Sequence, residues 1–393
     1  MGEEVEEDMN HEQLLSSLVE IKSYSKEEAP ITKFIRGWFK ERGIDSFNQD
    51  GNLVVHLEGK DRSRAFVMNS HMDTVSAGEI SQWTYGPWTP TLKNERLIGL
   101  GTSDMKSGLA ASMLLAETFS SKNLPPIDLW FTYVTKEEID GSGTESFAKW
   151  FAQNKYTQNY REIAAIFTEP TGLKEIEHGH RGNLFILIET HGDSGDASKP
   201  ELIKTHAVHE MFAIAKTLNK EFAKWQEVYH ESSFSPPTIG DFTSIYAGVR
   251  PKIESKKITG VEVESPNKFP SSCFATFDVR TTPKFHSVAL EKIEHVVNKF
   301  NAKLSLAFPA APAGYTDPKD KIVYLSRIAL GKARLTVSQG SADLGFLTAH
   351  GIKAVIFGPG EKNQAHRVNE YAYPKQIPLA VDIYKTVIEN WSK

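Results

Sequence analysis

Cysteine is almost missing from this chain of 393 residues: Cys273 is the single one. A lone thiol excludes an intramolecular disulfide framework and any cysteine-based zinc cluster. It fits a reducing, cytoplasmic setting. An excess of positive charge is missing too. Lys and Arg number 45 against 50 Asp and Glu, a formal charge of −5. Phosphate backbones call for a basic surface, so nucleic acid is not the expected partner. No run of 18 apolar residues occurs, and no membrane-spanning helix is expected. The opening MGEEVEEDMN lacks the basic and apolar regions of a secretory signal. Glu6 stands where the myristoylation pattern requires Ser or Thr. Residues 1–10 read as a solvated acidic tail.

What is present is an ordinary globular balance, 40% hydrophobic and 24% charged, enough for a large core. The length suggests two to three folding units. Leu14, Leu15, Leu18 and Ile21 form one helical stripe, and Ile31, Phe34, Ile35, Trp38 and Phe39 a second, stopped by Gly43. Short apolar runs suit buried strands: Leu53–Leu57, Ala65–Met68, Leu129–Val134, Ala164–Phe167 and Ile352–Phe357. Helical stretches such as Ser107–Phe119 separate several of them. This alternation predicts an α/β fold, a mostly parallel sheet flanked by helices.

The middle differs. Strand-like Leu184–Thr190 and Phe274–Val279 and helical Leu202–Ala223 and Ser287–Lys299 surround a polar, turn-rich stretch, Ser232–Ser255. They predict a smaller inserted α+β domain with its own core. The expected division is a catalytic domain over residues 1–179 and 301–393, interrupted by an insert over 180–300. The main sheet is expected to resume near Leu304, and the chain to close with a helix over Ala380–Trp391.

Chemistry-bearing residues gather just beyond the predicted strands, where open α/β sheets bind ligands. AFVMNS runs into His71-Met72-Asp73-Thr74. Gly99-Leu100-Gly101-Thr102-Ser103-Asp104-Met105-Lys106-Ser107-Gly108 opens a helix and matches neither dinucleotide nor P-loop fingerprint. Glu137 and Glu138 follow Val134, Glu169 follows Phe167, and His366 follows Gly358-Pro359-Gly360. Each piece alone has a plain reading: a turn, an N-cap, an exposed acidic loop, a surface histidine. Together they supply two imidazoles and several carboxylates without sulfur. That donor set suits zinc, cobalt or manganese with an open coordination position, and a carboxylate shared between two ions would build a two-metal site.

In their order and intervals these motifs, H-x-D-T-V, G-x-x-D-M-K-x-G, E-E, E-P-T and G-P-G…A-H, resemble the M20 metallopeptidase family. That family includes acetylornithine deacetylase, succinyl-diaminopimelate desuccinylase and glutamate carboxypeptidase. The resemblance implies a zinc-exopeptidase-like fold with a lid or dimerisation insert, and a homodimer. It implies that His71 and Glu169 bind one metal, Glu138 and His366 the other, and that Asp104 bridges them. It makes Asp73 the residue that orients His71 and Glu137 the general base, turned general acid for the leaving amine. Asn267, within an N-x-x-P pattern, would line the substrate site, and Arg280 would grip a substrate carboxylate.

One position departs from the pattern. Relatives carry a histidine in the insert where this chain has Asp196. An ionised carboxylate donates no hydrogen bond to an oxyanion. His180 and His191 are the substitutes nearby in sequence. The activity implied is two-metal hydrolysis of the amide in a small N-acyl amino acid, by a deacetylase or desuccinylase. The alternatives are a metallo-carboxypeptidase or dipeptidase acting on a short peptide and, from another class, a non-catalytic metal-binding scaffold.

Overall fold

A computed structural model describes residues 10–120, 124–235, 240–254, 257–263 and 265–393. The expected acidic tail lies outside them except for Asn10. That residue caps α1 (His11–Glu20): its side chain accepts the amides of Glu12 and Gln13, and Gln13 returns a bond to its amide, a capping box. Helix α2 (Ala29–Glu41) carries Pro30 in its first turn and buries Ile31, Ile35, Trp38 and Phe39. Next come β1 (Phe47–Gln49), β2 (Asn52–Leu57), β3 (Asp61–His71), β4 (Thr91–Lys93), β5 (Arg96–Ile98) and α3 (Ser107–Ser120). The strand β6 (Ile127–Val134), the helices α4 (Ser142–Gln153) and α5 (Tyr156–Asn159), β7 (Glu162–Phe167) and β8 (Glu175–His180) complete this part.

The chain divides into two compact units. The second is Arg181–Ala313 with Gln339–Ser341. It holds β9 (Gly182–His191), β10 (Gly195–Asp196), α6 (Ala207–Val228), β11 (Asp241–Ala247), β12 (Val249–Glu254), β13 (Lys257–Val263), β14 (Lys268–Phe269), β15 (Ser272–Thr281), α7 (Pro283–Val297) and β16 (Ala302–Leu306). Its main sheet runs β11-β15-β9-β16, all antiparallel. Strands β9 and β15 alternate strictly, with Leu184, Ile186, Ile188, Ala275, Phe277 and Val279 turned into the core beneath α6 and α7. Two expectations fail here. Leu304 does not resume the main sheet; it pairs with Ile188 in the insert, so this unit extends to Ala313. The stretch Ser232–Ser255 contains β11 and β12. β11 is an edge strand with Phe242, Ile245 and Tyr246 exposed, so it lacks the alternation that marks a half-buried strand.

The first unit takes up the chain again with β17 (Gly314–Tyr315), α8 (Lys321–Ala329), β18 (Arg334–Ser338), α9 (Leu344–Ala349), β19 (Lys353–Ile356), β20 (Tyr371–Ala372) and α10 (Gln376–Trp391). Its large sheet runs β1-β2-β6-β3-β7-β19-β8-β17, with β18 beside β8. The centre, β6-β3-β7-β19, is parallel, and antiparallel pairings lie toward its margins. Every residue of β6 is buried, as a strand covered on both faces must be. Phe131 and Tyr133 pack into the core that α1, α2, α3 and α10 share. Trp130 points the other way, onto Phe151 of α4 at 5.4 Å. The register pairs His71 with Val134 and Asn69 with Phe167, so the exits of β3, β6 and β7 lie level.

Candidate metal centre

Level strand exits explain why residues far apart in sequence meet. His71 ends β3, Glu137 and Glu138 follow β6, and Glu169 follows β7. Asp104 lies in the turn before α3, and His366, at φ +61°, in the loop after β19. The Asp104–Met105 peptide is cis. Asp104 is central: its Oδ1 lies 3.2 Å from His71 Nε2 and its Oδ2 3.6 Å from His366 Nε2. Glu169 Oε1 stands 3.6 Å from the same His71 nitrogen. Glu138 Oε2 stands 2.9 Å from His366 Nε2. Ligand atoms of His71, Asp104 and Glu138 all fall within 4.8 Å of one another.

The electrostatics of this cluster call for cations. Burial, and then neighbouring carboxylates, push Glu137, Glu138 and Glu169 above the ordinary range for a glutamate. For His71 burial works against protonation, but Glu169, Asp104, Glu137 and Asp73 outweigh it and raise its pKa well above the usual value. The hydrogen bond to Glu138 pushes His366 up to about 9. Glu138 Oε1 is buried with no hydrogen-bond partner. A buried carboxylate oxygen without a donor is costly unless a cation meets it. Two imidazoles and several oxygen donors, one of them orphaned, therefore fit a pair of divalent ions.

Asp73 sits differently from the expectation. His71 Nδ1 bonds the backbone carbonyl of Asp73 at 2.9 Å, whereas the nearest carboxylate oxygen lies at 3.6 Å. The carboxylate instead accepts the amides of Glu137 and Glu138, both at 3.2 Å, and the hydroxyl of Ser25 at 2.6 Å. Asp73 thus steadies the ring through its main chain and the Glu137–Glu138 turn through its side chain. Glu28, buried nearby in sequence, accepts the amide of Lys136 and holds the same turn. Lys106 is buried and donates to the carbonyls of Leu18 and Ile21 at the end of α1; burial holds its pKa down to about 7. None of Ser25, Glu28 or Lys106 stood out as functional in the sequence: Glu28 and Lys106 act on backbone groups, and Ser25 acts on a carboxylate 48 residues away. Ser25→Ala is expected to cost about 1 kcal/mol of stability and a few-fold in turnover, with metal stoichiometry unchanged. Thermal melts and metal analysis check this.

The remaining candidates, His180 excepted, belong to the second unit. Arg280 makes a two-bonded pair with Asp278, Nε at 2.8 Å and Nη2 at 3.0 Å, so a substrate carboxylate would have to displace Asp278. Asn267 is exposed, and its carbonyl accepts the amide of Ala197. Asp196 is exposed and accepts the amide of Ser198, which holds its carboxyl below the usual range and so ionised. It is an acceptor only. His191 is exposed and reaches Glu189 at 4.0 Å. His180, in the first unit, is buried, with Nε2 accepting the amide of Gly345. No helix among the described residues is long and apolar enough to cross a membrane.

Known proteins share this arrangement of elements. The chain is 26% identical, over 96% of both chains, to a probable succinyl-diaminopimelate desuccinylase of Staphylococcus epidermidis. Its fold matches aminopeptidase PepT of Bacillus cereus with a TM-score of 0.72, at 19% identity over 98% of this chain and 100% of that one. It also matches a dinuclear metal-binding M20 peptidase of Bacillus subtilis with a TM-score of 0.64, at 14% identity over 96% of each chain. The model of peptidase family M20/M25/M40 matches residues 67–390, a span that contains every side chain of the carboxylate–imidazole cluster. The chain therefore belongs to peptidase family M20/M25/M40 and is an enzyme of the hydrolase class.

Proposed function

We infer that this hydrolase uses two divalent ions, zinc first, to cleave the amide bond of a small N-acyl amino acid. The observation that carries the reading is Asp104, whose two oxygens face the two histidines from opposite ends of one carboxylate. His71 and Glu169 would hold one ion, Glu138 and His366 the other, with Asp104 shared between them. Ions so held supply Lewis acidity for the scissile carbonyl and lower the pKa of water. Glu137 is the general base: its Oε takes a proton from the water that adds to the scissile carbonyl and returns it to the leaving amine as the C–N bond breaks. Asp73 fixes the backbone of Glu137 and Glu138, so base and ligand move as one turn.

The acyl-amino-acid reading draws on the desuccinylase relative, 26% identical across nearly the whole chain. A second reading, peptidase action on a short peptide, draws on the fold shared with an aminopeptidase and on Arg280, which is already neutralised by Asp278. The metal-loaded protein should be assayed in parallel on N-acetyl and N-succinyl amino acids and on a dipeptide and tripeptide panel. Preference for acyl amino acids supports the first reading, and preference for peptides overturns it. Hydrolysis abolished by a chelator and restored by zinc, cobalt or manganese supports the two-ion centre; chelator-resistant hydrolysis refutes it. A homodimer is part of the same proposal. The edge strand β11, with Phe242, Ile245 and Tyr246 exposed, supports it, and sedimentation measures it.

Metal binding should be strongly pH-dependent. In the metal-free protein, protons reside on His71 and His366, whose pKa values are raised, and on carboxylates raised by burial. An incoming cation must displace them. Lowering the pH strengthens the competing protons, so affinity rises with pH up to at least about 9, the folded pKa of His366. Calorimetry in buffers of different ionisation enthalpy should show at least one proton released per protein. Binding with no proton release would contradict the assignment of the two histidines.

A further inference from the structure

The segment that follows His366 turns back onto the Asp104 loop. Glu370 is buried there, just before β20, whose Tyr371 and Ala372 pair with Ile98 and Leu97 of β5. Its carboxylate accepts three backbone amides from one turn. Oε2 takes Gly101 N at 2.8 Å, while Oε1 takes Ser103 N at 2.7 Å and Asp104 N at 2.9 Å. The Glu370 carbonyl takes Gly99 N at 2.9 Å, and the Tyr371 carbonyl takes Ser103 Oγ at 2.7 Å.

The turn needs such a partner. Asp104 and Met105 have non-helical dihedrals, and α3 starts only at Ser107, so no helical ladder serves these amides. Gly101 is left-handed at φ +79°, and a Cβ there would press on Thr74. Left-handed and right-handed residues in succession aim their amides into one concavity, a geometry that ordinarily captures an anion. Here the acceptor is a carboxyl side chain of the protein, 266 residues further along than Asp104.

We propose that Glu370 is a positioning residue of the metal centre: by gripping the amides of Gly101, Ser103 and Asp104 it fixes the Asp104 carboxylate between the two histidines and ties it to the segment that carries His366. The inference rests on the reading of Asp104 as a metal ligand. Glu370 itself is no ligand. It makes the loop rigid before any cation arrives, so that Asp104 is presented with both oxygens outward.

The test compares wild type, Glu370→Ala, Glu370→Gln and Val387→Ala. The last is a core truncation in α10 that controls for lost stability. Zinc and cobalt(II) alone are the probes. Glu370→Ala is expected to weaken metal binding by about 10- to 100-fold, the range for groups that hold a ligand in place. It should also shift the cobalt absorption bands. Glu370→Gln keeps one acceptor oxygen and should lose less. Val387→Ala should leave affinity and spectrum unchanged. Amide exchange in the metal-free protein reads the grip directly: Gly101, Ser103 and Asp104 should exchange faster in both Glu370 variants than in the control. Wild-type affinity and spectrum in Glu370→Ala, or equal shifts in Val387→Ala, would overturn the proposal. If Glu370→Ala does not fold, unchanged exchange and affinity in Glu370→Gln overturn it instead. Wild type that binds neither metal would refute the metal reading and this inference with it. Wild-type binding with unchanged variants refutes this inference alone.

Discussion

Glu137→Gln is expected to reduce turnover by about 10²- to 10⁴-fold, the usual contribution of a positioned base, while metal content stays at the wild-type level. Glutamine has the same shape and keeps the backbone amide that Asp73 holds at 3.2 Å. What it loses is the ability to take a proton. Burial raises the Glu137 carboxyl well above its ordinary value, and the charges of Asp343, Glu169 and Glu138 add to this. A carboxylate tuned upward is a better base near neutral pH than a solvated one. Cations bound beside it would pull the value down again, so the working pKa lies between these limits. The acid limb of the pH–rate profile should therefore belong to Glu137 in wild type, rising as the carboxyl ionises, and be lost in the variant. Steady-state kinetics with metal analysis decides: near-full turnover in Glu137→Gln would remove Glu137 from the mechanism, and loss of metal would make it a ligand instead.

The neighbouring glutamate would behave differently. Glu138 carries the orphaned oxygen and the bond to His366, so its removal strikes metal retention first. Two adjacent residues with separable phenotypes are what a turn at a strand exit permits, because successive side chains there need not share a direction.

Much of this was legible in the linear order of residues. Buried parallel strands need near-continuous apolar runs, and such runs marked β3, β6, β7 and β19 within a few residues of their ends. The candidate residues His71, Glu137, Glu138 and Glu169 stand at or just past the ends of β3, β6 and β7, at the carboxyl edge where an open α/β sheet gathers its ligands. The failures share a cause as well. β16 has the pattern of a half-exposed strand, and pattern alone does not say which sheet it joins; Leu304 met Ile188 rather than the main sheet. The family resemblance makes the Asp73 side chain the one that orients His71, whereas its carboxylate is spent on the amides of Glu137 and Glu138 and only its main-chain carbonyl reaches the ring. Glu370 left no signal at all. Its partners are main-chain amides, which every residue type carries, so only the fold reveals that they converge.

Gly108 offers a test in which local and tertiary rules predict opposite signs. It is the second residue of α3, and helix propensity alone predicts that Gly108→Ala stabilises by about 1 kcal/mol. A Cβ at this position would collide with the carbonyl oxygen of Thr168, the residue before Glu169. That carbonyl has little room to retreat. The Thr168 amide bonds Asn69 at 3.0 Å, its hydroxyl meets Ser70 at 2.7 Å, and Gly358 packs on the same carbonyl from another element. Backbone against backbone, the overlap must separate α3 from the exit of β7, which pulls Asp104 and Glu169 apart. Overpacking of this kind costs about 1–3 kcal/mol or more, enough to outweigh the propensity gain. The melting temperature should fall by roughly 2–4 °C per kcal/mol in a unit of this size, and zinc affinity should fall with it. Gly37 is the internal control. It lies within α2, and a Cβ there meets nothing within 4 Å. Gly37→Ala should raise the melting temperature by the propensity term and leave metal binding alone. If Gly108→Ala also proved stabilising, with zinc affinity intact, the close approach of α3 to Thr168 would not be what holds the two carboxylates at their separation.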